Sequence, residues 1–183
     1  KTSVASFCQQ IWSNLDIEAV SIGTNGVRGA WTQPLRHTTP DALEMHQLLF
    51  NLKANGIDHV ALEASSHGLD QSRLDGVQFS GACFTNFSQD HLDYHKSKDY
   101  YFEAKALLFR QLLTSDKTAV FNVNNNRIKL LAEELKSQGN LVVILGKSEG
   151  SNIQLKRQTF DSSGQEVFSK YDGILYQKRL ILI

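Results

Sequence analysis

Two polar stretches, each at the end of an apolar run, contain side chains able to bind a metal ion and phosphate. The first runs from Glu63 to Arg73 and the second from Thr85 to His95. Apolar runs of this length, 59–64 and 81–87, predict buried strands. Ligands of open α/β sheets bind beyond the carboxyl ends of the strands. We therefore expect both stretches to lie at one edge of a sheet and to form a metal and phosphate site.

Carboxylates and imidazoles in these stretches are the candidate metal ligands. Asp90, His91, Asp93 and His95 lie within a few residues of one another. An oxygen-rich set with few imidazoles suits Mg²⁺ or Mn²⁺ better than Zn²⁺. The alternative is that Asp90 caps a helix and the other side chains are solvated. Glu63, inside an apolar strand, either binds a cation, because an unpaired buried carboxylate is costly, or points to solvent at the strand end.

Lys105 lies in a predicted helix with apolar neighbours on its own face. The residues three and four positions away are Tyr101, Phe102, Leu108 and Phe109. Desolvation lowers the pKa of a lysine, and a neutral amine can react with carbon dioxide. The resulting carbamate would supply a carboxylate ligand to a cation. The alternative is a lysine whose stem is buried while its ammonium group stays in water.

Further polar groups suggest anion sites. Residues 1–3, Lys-Thr-Ser, open a helix as the last part of a phosphate-binding loop does, although the glycines of such a loop are absent. The alternative is that this sequence is fortuitous. Arg73, with Ser65 and Gln71, could hold a phosphate or a carboxylate. Residues 38–39, Thr-Thr, offer a second anion site at a helix start, where Ser and Thr are also ordinary caps. Thr39 is the predicted N-cap of this helix, with Pro40 at its first position.

The elements that must position these residues alternate along the chain. Apolar periodicity predicts helices over 2–15, 39–55, 97–113 and 125–137, and strands over 17–22, 59–64, 81–87, 118–123 and 141–145. A turn at 23–26 and a polar loop to Thr39 complete the first part. This alternation predicts an α/β fold with a mostly parallel sheet flanked by helices. Short strands over 153–160, 166–171 and 174–183 predict an antiparallel β appendage. We assign 1–150 to the α/β body and 151–183 to a hairpin extension of it.

Composition narrows the class of protein. The 183 residues are 41% hydrophobic with a formal net charge of zero, which predicts a globular chain and disfavours nucleic-acid binding. Two cysteines without paired spacing suggest a reducing compartment. With no run of about 20 apolar residues and no leader, we expect a cytoplasmic protein without a membrane partner. The start without Met and the apolar end suggest a fragment of a longer protein.

Taken together, these stretches resemble the central ATP-binding domain of the Mur ligases, in the branch that adds the third peptide residue. The matching segments follow the family order along nearly the whole chain, at 1–3, 23–26, 38–44, 63–73, 85–95 and 103–105. The strings Ser-Ser-His-Gly-Leu-x-Gln-x-Arg and Thr-Asn-x-x-x-Asp-His-Leu-Asp-Tyr-His are highly specific. The resemblance implies a P-loop NTPase-like fold and an ATP-dependent amide ligase. A carboxylate of UDP-MurNAc-L-Ala-D-Glu becomes an acyl phosphate, and the amine of a diamino acid then displaces phosphate.

The resemblance also implies roles for individual residues, with ATP and Mg²⁺ as cofactors and a monomeric enzyme. Lys1, Thr2 and Ser3 would bind ATP. The metal ligands would be Thr2, Glu63, His91 and carbamylated Lys105, and the catalytic residues Lys1, His91 and Lys105. The nucleotide-dipeptide would be held by Thr38, Thr39, Ser65, Gln71 and Arg73. Asn86 and Asp90 would shape the site.

Some positions depart from the family pattern. His37 stands where an asparagine often precedes the two threonines, which puts one substrate contact in doubt. Residues 122–125, Asn-Val-Asn-Asn, resemble an Asn-x-Asp-Asp segment in which both acids are replaced, so the activity of the parent protein stays open. The family also has flanking domains that bind uridine and select the amino acid, and we expect these to lie outside these 183 residues. We therefore expect the fragment alone to be inactive, and it does not distinguish meso-diaminopimelate from L-lysine.

Three rival functions remain open from the sequence. The first is a sister ligase, either another Mur enzyme or a folylpolyglutamate or cyanophycin synthetase. The second is a metal-dependent phosphohydrolase built on Glu63, Asp90 and His91. The third is a nucleotide-binding module that has lost activity. The Ser-Ser-His-Gly-Leu-x-Gln-x-Arg string favours the third-residue ligase over the sister ligases, and a phosphohydrolase would need neither a phosphate loop nor a carbamate on Lys105.

Overall fold

The computed structural model describes residues 1–88 and 93–181 as alternating helices and strands. The helices are α1 (Thr2–Ser13), α2 (Ala42–Ala54), α3 (Ser66–Asp70), α4 (Lys98–Leu107), followed by a π-helical turn (Leu108–Leu112), and α5 (Asn126–Ser137). The strands are β1 (Ala19–Gly23), β2 (Gly26–Gly29), β3 (His59–Leu62), β4 (Gly81–Phe84), β5 (Thr118–Asn122), β6 (Leu141–Gly146), β7 (Ile153–Asp161), β8 (Gly164–Tyr171) and β9 (Ile174–Ile181). The chain divides into two compact units.

The first unit comprises residues 1–78 and 89–112. Its three-stranded sheet has the order β2-β1-β3, with β1 antiparallel to β2 and parallel to β3. Strand β1 is buried along its whole length, which agrees with its mostly apolar sequence, in which Ser21 is the one polar side chain. Helix α1 packs on β1 and β3, where the Trp12 ring meets the His59 ring edge-on at 5.3 Å between centroids.

The second unit comprises residues 79–88 and 113–183. Its six-stranded sheet has the order β4-β5-β6-β7-β8-β9, parallel from β4 to β7 and antiparallel from β7 to β9. Helix α5 buries Ile128, Leu131 and Leu135 and packs on β5 and β6. In the hairpins, the Arg179 guanidinium hydrogen-bonded to Asp161 lowers the pKa of that carboxyl.

The predicted α/β class and the antiparallel strands at the C-terminal end are confirmed. The division at residue 150 stays a prediction, although β7 continues the sheet by pairing parallel with β6 through Leu145 and Ile153. Within the described ranges 1–88 and 93–181, no helix is long and apolar enough to cross a membrane.

Two local predictions are wrong. The predicted polar loop after residue 26 contains β2, in which Val27 is fully buried and pairs with Ile22. Thr39 does not cap α2, because Asp41 takes that position and its Oδ1 accepts a hydrogen bond of 2.9 Å from Glu44 N. A carboxylate is as good a cap as a hydroxyl, and Thr39 is thereby left to bond elsewhere.

The expectation that the two polar stretches follow strands of one sheet is also wrong. Strand β3 pairs with β1 in the three-stranded sheet, whereas β4 pairs with β5 in the six-stranded sheet. The two strands are also less buried than predicted, since β3 is half-buried along its length and Gly81 and Cys83 of β4 are exposed. An apolar run indicates a strand but carries no information about its hydrogen-bond partner. The candidate site is therefore built within the first unit, from the ends of β1 and β3 and the start of α1.

Candidate functional site

Glu63 is a buried carboxylate whose hydrogen bonds come from neutral groups. It directly follows β3, and its backbone N–H donates to the Ile22 carbonyl at 2.8 Å, which extends the β1–β3 pairing by one residue. Its side chain is buried, with Oε2 accepting from Thr2 Oγ1 at 2.9 Å and Oε1 from the Thr24 backbone N–H at 3.0 Å. The alternative that Glu63 points to solvent is therefore wrong.

The chemistry of this donor set fits a hard cation. None of the ion pairs among the described residues involves Glu63, so its negative charge is balanced only by hydrogen bonds to a hydroxyl and an amide. A buried charge in such surroundings is costly. Mg²⁺ takes one or two protein oxygens and keeps its other positions for water and phosphate. Glu63 and Thr2 offer that number of oxygens side by side.

Gly23 makes room for the Glu63 carboxylate at the end of β1. A Cβ atom at this position would lie 1.9 Å from Glu63 Oε1 and 2.5 Å from its Cδ, far inside van der Waals contact. Because Gly23 has no side chain, the carboxylate can approach the turn closely enough to reach the Thr24 N–H. The turn at 23–26 was part of the family resemblance, but no feature of the sequence indicated its contact with Glu63.

The start of α1 lies at the same place. Lys1 is the N-cap residue and makes no side-chain cap, and the Thr2 hydroxyl is turned to Glu63. Backbone N–H groups in the first turn of a helix lack intrahelical acceptors and favour anions. A small pocket is lined by Thr2, Ser6, Ser21, Gly23, Asn25 and Glu63, among others. Thr2 and Glu63, two of the four predicted metal ligands, are thus brought together.

Thr39 connects the segment before α2 to the end of β3. Its side chain is 1% exposed, and its hydroxyl lies 2.8 Å from the Glu63 carbonyl oxygen and 2.9 Å from Ser65 Oγ. It also accepts from the Ser65 backbone N–H at 3.0 Å. The hydroxyl is thus engaged within the protein, so its predicted contact with substrate stays a prediction. The adjacent Thr38 Oγ1 lies 3.1 Å from Thr24 Oγ1.

Ser65 is the N-cap of α3, and its Oγ accepts from the Gly68 N–H at 3.0 Å. A Cβ atom on Gly68 would approach Thr39 Cγ2 to 2.7 Å, so a glycine is needed for α3 to pack against Thr39. The string Ser-Ser-His-Gly therefore serves a structural purpose at two of its positions, in addition to any contact with substrate.

We expect Thr39→Val to destabilise the protein by about 1–3 kcal/mol, because the isosteric side chain leaves the Ser65 N–H without its buried acceptor. Urea unfolding followed by circular dichroism measures this loss. Thr32→Val, at an exposed position, is the matched control and should change the free energy of unfolding by less than about 0.5 kcal/mol. Equal stability of the two variants would contradict a structural role for the Thr39 hydroxyl.

Arg73 and Gln71 form a polar group beside the site. The Arg73 guanidinium donates to the Thr39 carbonyl at 2.8 Å and, through Nε, to Gln71 Oε1 at 3.0 Å, with a further donation to the same oxygen from its second terminal nitrogen. An arginine has five N–H donors, so two remain for a ligand. The proximity of these two predicted substrate-binding residues follows from the turn after α3.

His95 is buried, so the alternative that its side chain is solvated is wrong, and its role as a metal ligand stays a prediction. It is 4% exposed, and its Nε2 lies 2.9 Å from Ser66 Oγ. Its ring lies 5.3 Å from the Tyr101 ring and 5.5 Å from the His67 ring. No group of three or more His, Cys, Asp or Glu among residues 1–88 and 93–181 is arranged to hold a metal. Asp90 and His91, which complete the predicted cluster, lie outside the described residues.

Lys105 is half-buried on α4, as its apolar neighbours predicted. Its Nζ lies 4.8 Å from the centroid of the Tyr101 ring. Tyr101, Phe102, Leu108 and Phe109 are all buried, which confirms that this face of the helix is the internal one. Carbamylation of the amine and its metal contact stay predictions. The exposed Lys1 and Ser3 likewise keep their ATP-binding roles as predictions.

The segment 122–125 acts as a helix cap in the second unit. Asn125 Oδ1 accepts from the Arg127 N–H at 2.9 Å, and its Nδ2 donates to the Phe87 carbonyl at 3.3 Å. Asn and Asp are equivalent as caps, so the replacement of an acid here preserves the start of α5. Asn86, which precedes Phe87 in the sequence, is exposed, and its predicted part in shaping the site stays a prediction.

The chain matches the Mur ligase middle domain family over residues 1–183. Among curated proteins it is 41% identical, over its whole length, to the UDP-N-acetylmuramoyl-L-alanyl-D-glutamate–2,6-diaminopimelate ligase of Caulobacter vibrioides, of which it covers 39%. It is 42% identical over 86% of its length to the ligase of the same name from Rhizobium meliloti, of which it covers 32%. The chain thus spans about two-fifths or less of these relatives.

Solved structures agree with this similarity. A structure of UDP-N-acetylmuramoyl-L-alanyl-D-glutamate–2,6-diaminopimelate ligase superposes with a TM-score of 0.84 at 27% identity, covering 97% of this chain and 36% of the other. A mutant of FPGS from L. casei superposes with a TM-score of 0.71 at 9% identity, covering 100% of this chain and 51% of the other. The second likeness shows a shared fold alone.

Proposed function

Because this chain belongs to the Mur ligase family, we propose that it is the ATP-binding middle domain of a ligase that joins 2,6-diaminopimelate to UDP-MurNAc-L-Ala-D-Glu. The observation that carries the proposal is the buried Glu63 carboxylate beside the Thr2 hydroxyl at the start of α1. The named relatives support the choice of substrates, because they are ligases for 2,6-diaminopimelate.

In the proposed reaction, a carboxylate oxygen of the D-glutamyl residue attacks the γ-phosphorus of ATP, and ADP leaves with the bond electrons. The amine of diaminopimelate then attacks the acyl carbon, phosphate leaves, and the amine nitrogen loses its proton. Both reactants of the first step are anions, so the protein must offset their repulsion and align them. Positive groups and fixed N–H donors are therefore the functional requirement.

The residues near the start of α1 would meet that requirement. Glu63 and Thr2 would hold a Mg²⁺ ion, with His91 as the further ligand that the family resemblance implies, and carbamylated Lys105 would hold a second Mg²⁺ ion. When bound, the ion supplies positive charge that offsets the charge of the phosphate oxygens. The N–H groups in the first turn of α1 and the Lys1 ammonium group would bind phosphate oxygens, and Ser3 belongs to the same loop.

The nucleotide-dipeptide would be held by the polar residues around Thr39 and Arg73. Arg73 offers its two remaining N–H donors to a carboxylate or phosphate, and Thr38, Thr39, Ser65 and Gln71 complete the proposed binding set. Fixing Arg73 on the Thr39 carbonyl and Gln71 lowers the entropy lost when it binds an anion. We also propose that the protein acts as a monomer in the cytoplasm, without nucleic-acid or membrane partners.

Phosphate release by the full-length protein carrying this chain tests the proposal. The assay contains ATP, Mg²⁺ and UDP-MurNAc-L-Ala-D-Glu, with meso-diaminopimelate or L-lysine added in turn. We expect release that requires both the nucleotide-dipeptide and diaminopimelate, and none from the 183-residue chain alone. Release without any amino acid would favour a phosphohydrolase. ATP binding without release would favour an inactive module or a sister ligase.

A further inference from the structure

A hydrogen-bonded chain of side chains joins Tyr94 to the guanidinium of Arg73. The Tyr94 hydroxyl donates to Asp70 Oδ2 at 2.8 Å and accepts from Gln71 Nε2 at 3.0 Å. The other end of the Gln71 amide, Oε1, accepts from Arg73, which also donates to the Thr39 carbonyl. We propose that Tyr94 is a positioning residue for the nucleotide-dipeptide site and acts by setting the orientation of the Gln71 amide.

The directions of these hydrogen bonds show how the Tyr94 hydroxyl sets the orientation of the Gln71 amide. Asp70, as a carboxylate, can only accept, so the single Tyr94 O–H proton is committed to it. The tyrosine oxygen is then an acceptor toward Gln71, which must present its NH₂ group to it. The amide oxygen consequently faces Arg73, which carries only donors. If the Gln71 amide were reversed, its NH₂ group would face the N–H donors of Arg73, and Arg73 would lose its side-chain acceptor.

Ring packing fixes the tyrosine in this position. The Tyr94 ring lies 4.0 Å from the His67 ring and 4.8 Å from the His95 ring between centroids. His95 is itself buried and hydrogen-bonded to Ser66, so the ring of Tyr94 rests on side chains anchored at the start of α3. The hydroxyl is thus held at the partly exposed edge of the network by packed neighbours, and removing it leaves the ring contacts intact.

This inference rests on the proposed function, in which Arg73 binds an anionic group of the nucleotide-dipeptide. Because Arg73 is hydrogen-bonded to Thr39 and Gln71, its guanidinium is held in one orientation, and bidentate donors are effective only when their orientation is fixed. Tyr94→Phe would allow the Gln71 amide to rotate and the guanidinium to swing. The loss should therefore appear in binding of the nucleotide-dipeptide, not in the binding of ATP.

The test is a set of variants of the full-length protein, measured by calorimetric binding of UDP-MurNAc-L-Ala-D-Glu and by steady-state kinetics. For Tyr94→Phe we expect binding about ten-fold weaker and KM for the nucleotide-dipeptide raised about ten-fold, with kcat and KM for ATP within about two-fold. Gln71→Leu should weaken binding at least as much, because Gln71 also belongs to the proposed binding set. The double variant should bind no more weakly than Gln71→Leu alone, because the tyrosine acts through the glutamine. Tyr100→Phe, at an exposed position on α4, is the matched control and should bind as the unaltered protein does.

Each outcome decides a different point. Unaltered binding by Tyr94→Phe, or additive losses in the double variant, would overturn the positioning role. A fall in kcat with all KM values unchanged would also overturn it. A failure of the unaltered full-length protein to bind the nucleotide-dipeptide would instead overturn the proposed function, and this inference with it. Thermal unfolding of each variant shows whether a loss of binding comes from a loss of folded protein.

Discussion

Replacing Glu63 with glutamine is expected to lower ATP-dependent phosphate release by the full-length protein by about a hundred-fold or more, while leaving its fold intact. The amide has the shape of the carboxylate and can keep both hydrogen bonds, accepting from the Thr24 N–H and donating to the Thr2 hydroxyl oxygen. It lacks the negative charge that a metal ligand supplies. A hundred-fold loss corresponds to about 2.7 kcal/mol of transition-state stabilisation, within the range a bound cation provides.

Two measurements separate this role from a structural one. The free energy of unfolding of Glu63→Gln should match that of the unaltered protein within about 1 kcal/mol, because no hydrogen bond is lost and a buried charge is removed. The Mg²⁺ concentration that gives half-maximal release should rise, since one ligand is weakened. Glu18→Gln, at an exposed position just before β1, is the matched control. Full activity of Glu63→Gln would exclude Glu63 from metal binding.

The second large effect is expected from Gly23→Ala. The added methyl group would overlap the Glu63 carboxylate, whose Oε1 lies 1.9 Å from the Cβ position. The carboxylate must then move away from the Thr24 N–H and the Thr2 hydroxyl. A displacement of about 1 Å in an aligned site can cost about a hundred-fold in rate, so we expect phosphate release to fall by about that factor.

Stability is the competing explanation for Gly23→Ala, and Gly56→Ala controls for it. Gly56 has a φ of +78° with nothing within 4 Å of an added Cβ, so alanine there costs about 1–2 kcal/mol of backbone strain without touching Glu63. Phosphate release per folded molecule should be unaffected in Gly56→Ala and strongly reduced in Gly23→Ala. Equal activity of the two variants would mean that Glu63 tolerates displacement, which would contradict its role at the site.

The sequence predicted the parts of the site that depend on local pattern. Periodicity placed Lys105 on the buried face of its helix, where Tyr101 and Phe109 are indeed buried, because helical spacing is a property of neighbouring residues. Glu63 could be identified in the same way, because a single carboxylate in an apolar run is also a property of neighbouring residues. The two specific strings indicated the family, which the match over the whole chain confirms.

Other features required contacts between distant positions. Thr2 and Glu63 are separated by 61 residues, and Thr24 and Glu63 by 39. The hydrogen bonds to the Glu63 carboxylate therefore cannot be predicted from the residues next to it in the sequence. Asp41 caps α2, whereas the Thr39 hydroxyl is hydrogen-bonded to Ser65, 26 residues away in the sequence. This long-range hydrogen bond could not be predicted from the residues around Thr39. His95 was a candidate metal ligand by residue type, and only the folded chain showed that its ring is buried and lies beside Ser66.

Local periodicity and strings of adjacent residues were enough to establish the fold class, most of the order of helices and strands, the family, and which side chains carry charge. Three features emerged only once the chain was folded. Strands β3 and β4 belong to different sheets, Gly23 must lack a side chain, and Tyr94 faces Gln71. Each of these depends on which strand pairs with which or on a close approach between separate segments, and such contacts are set by the packing of the whole unit.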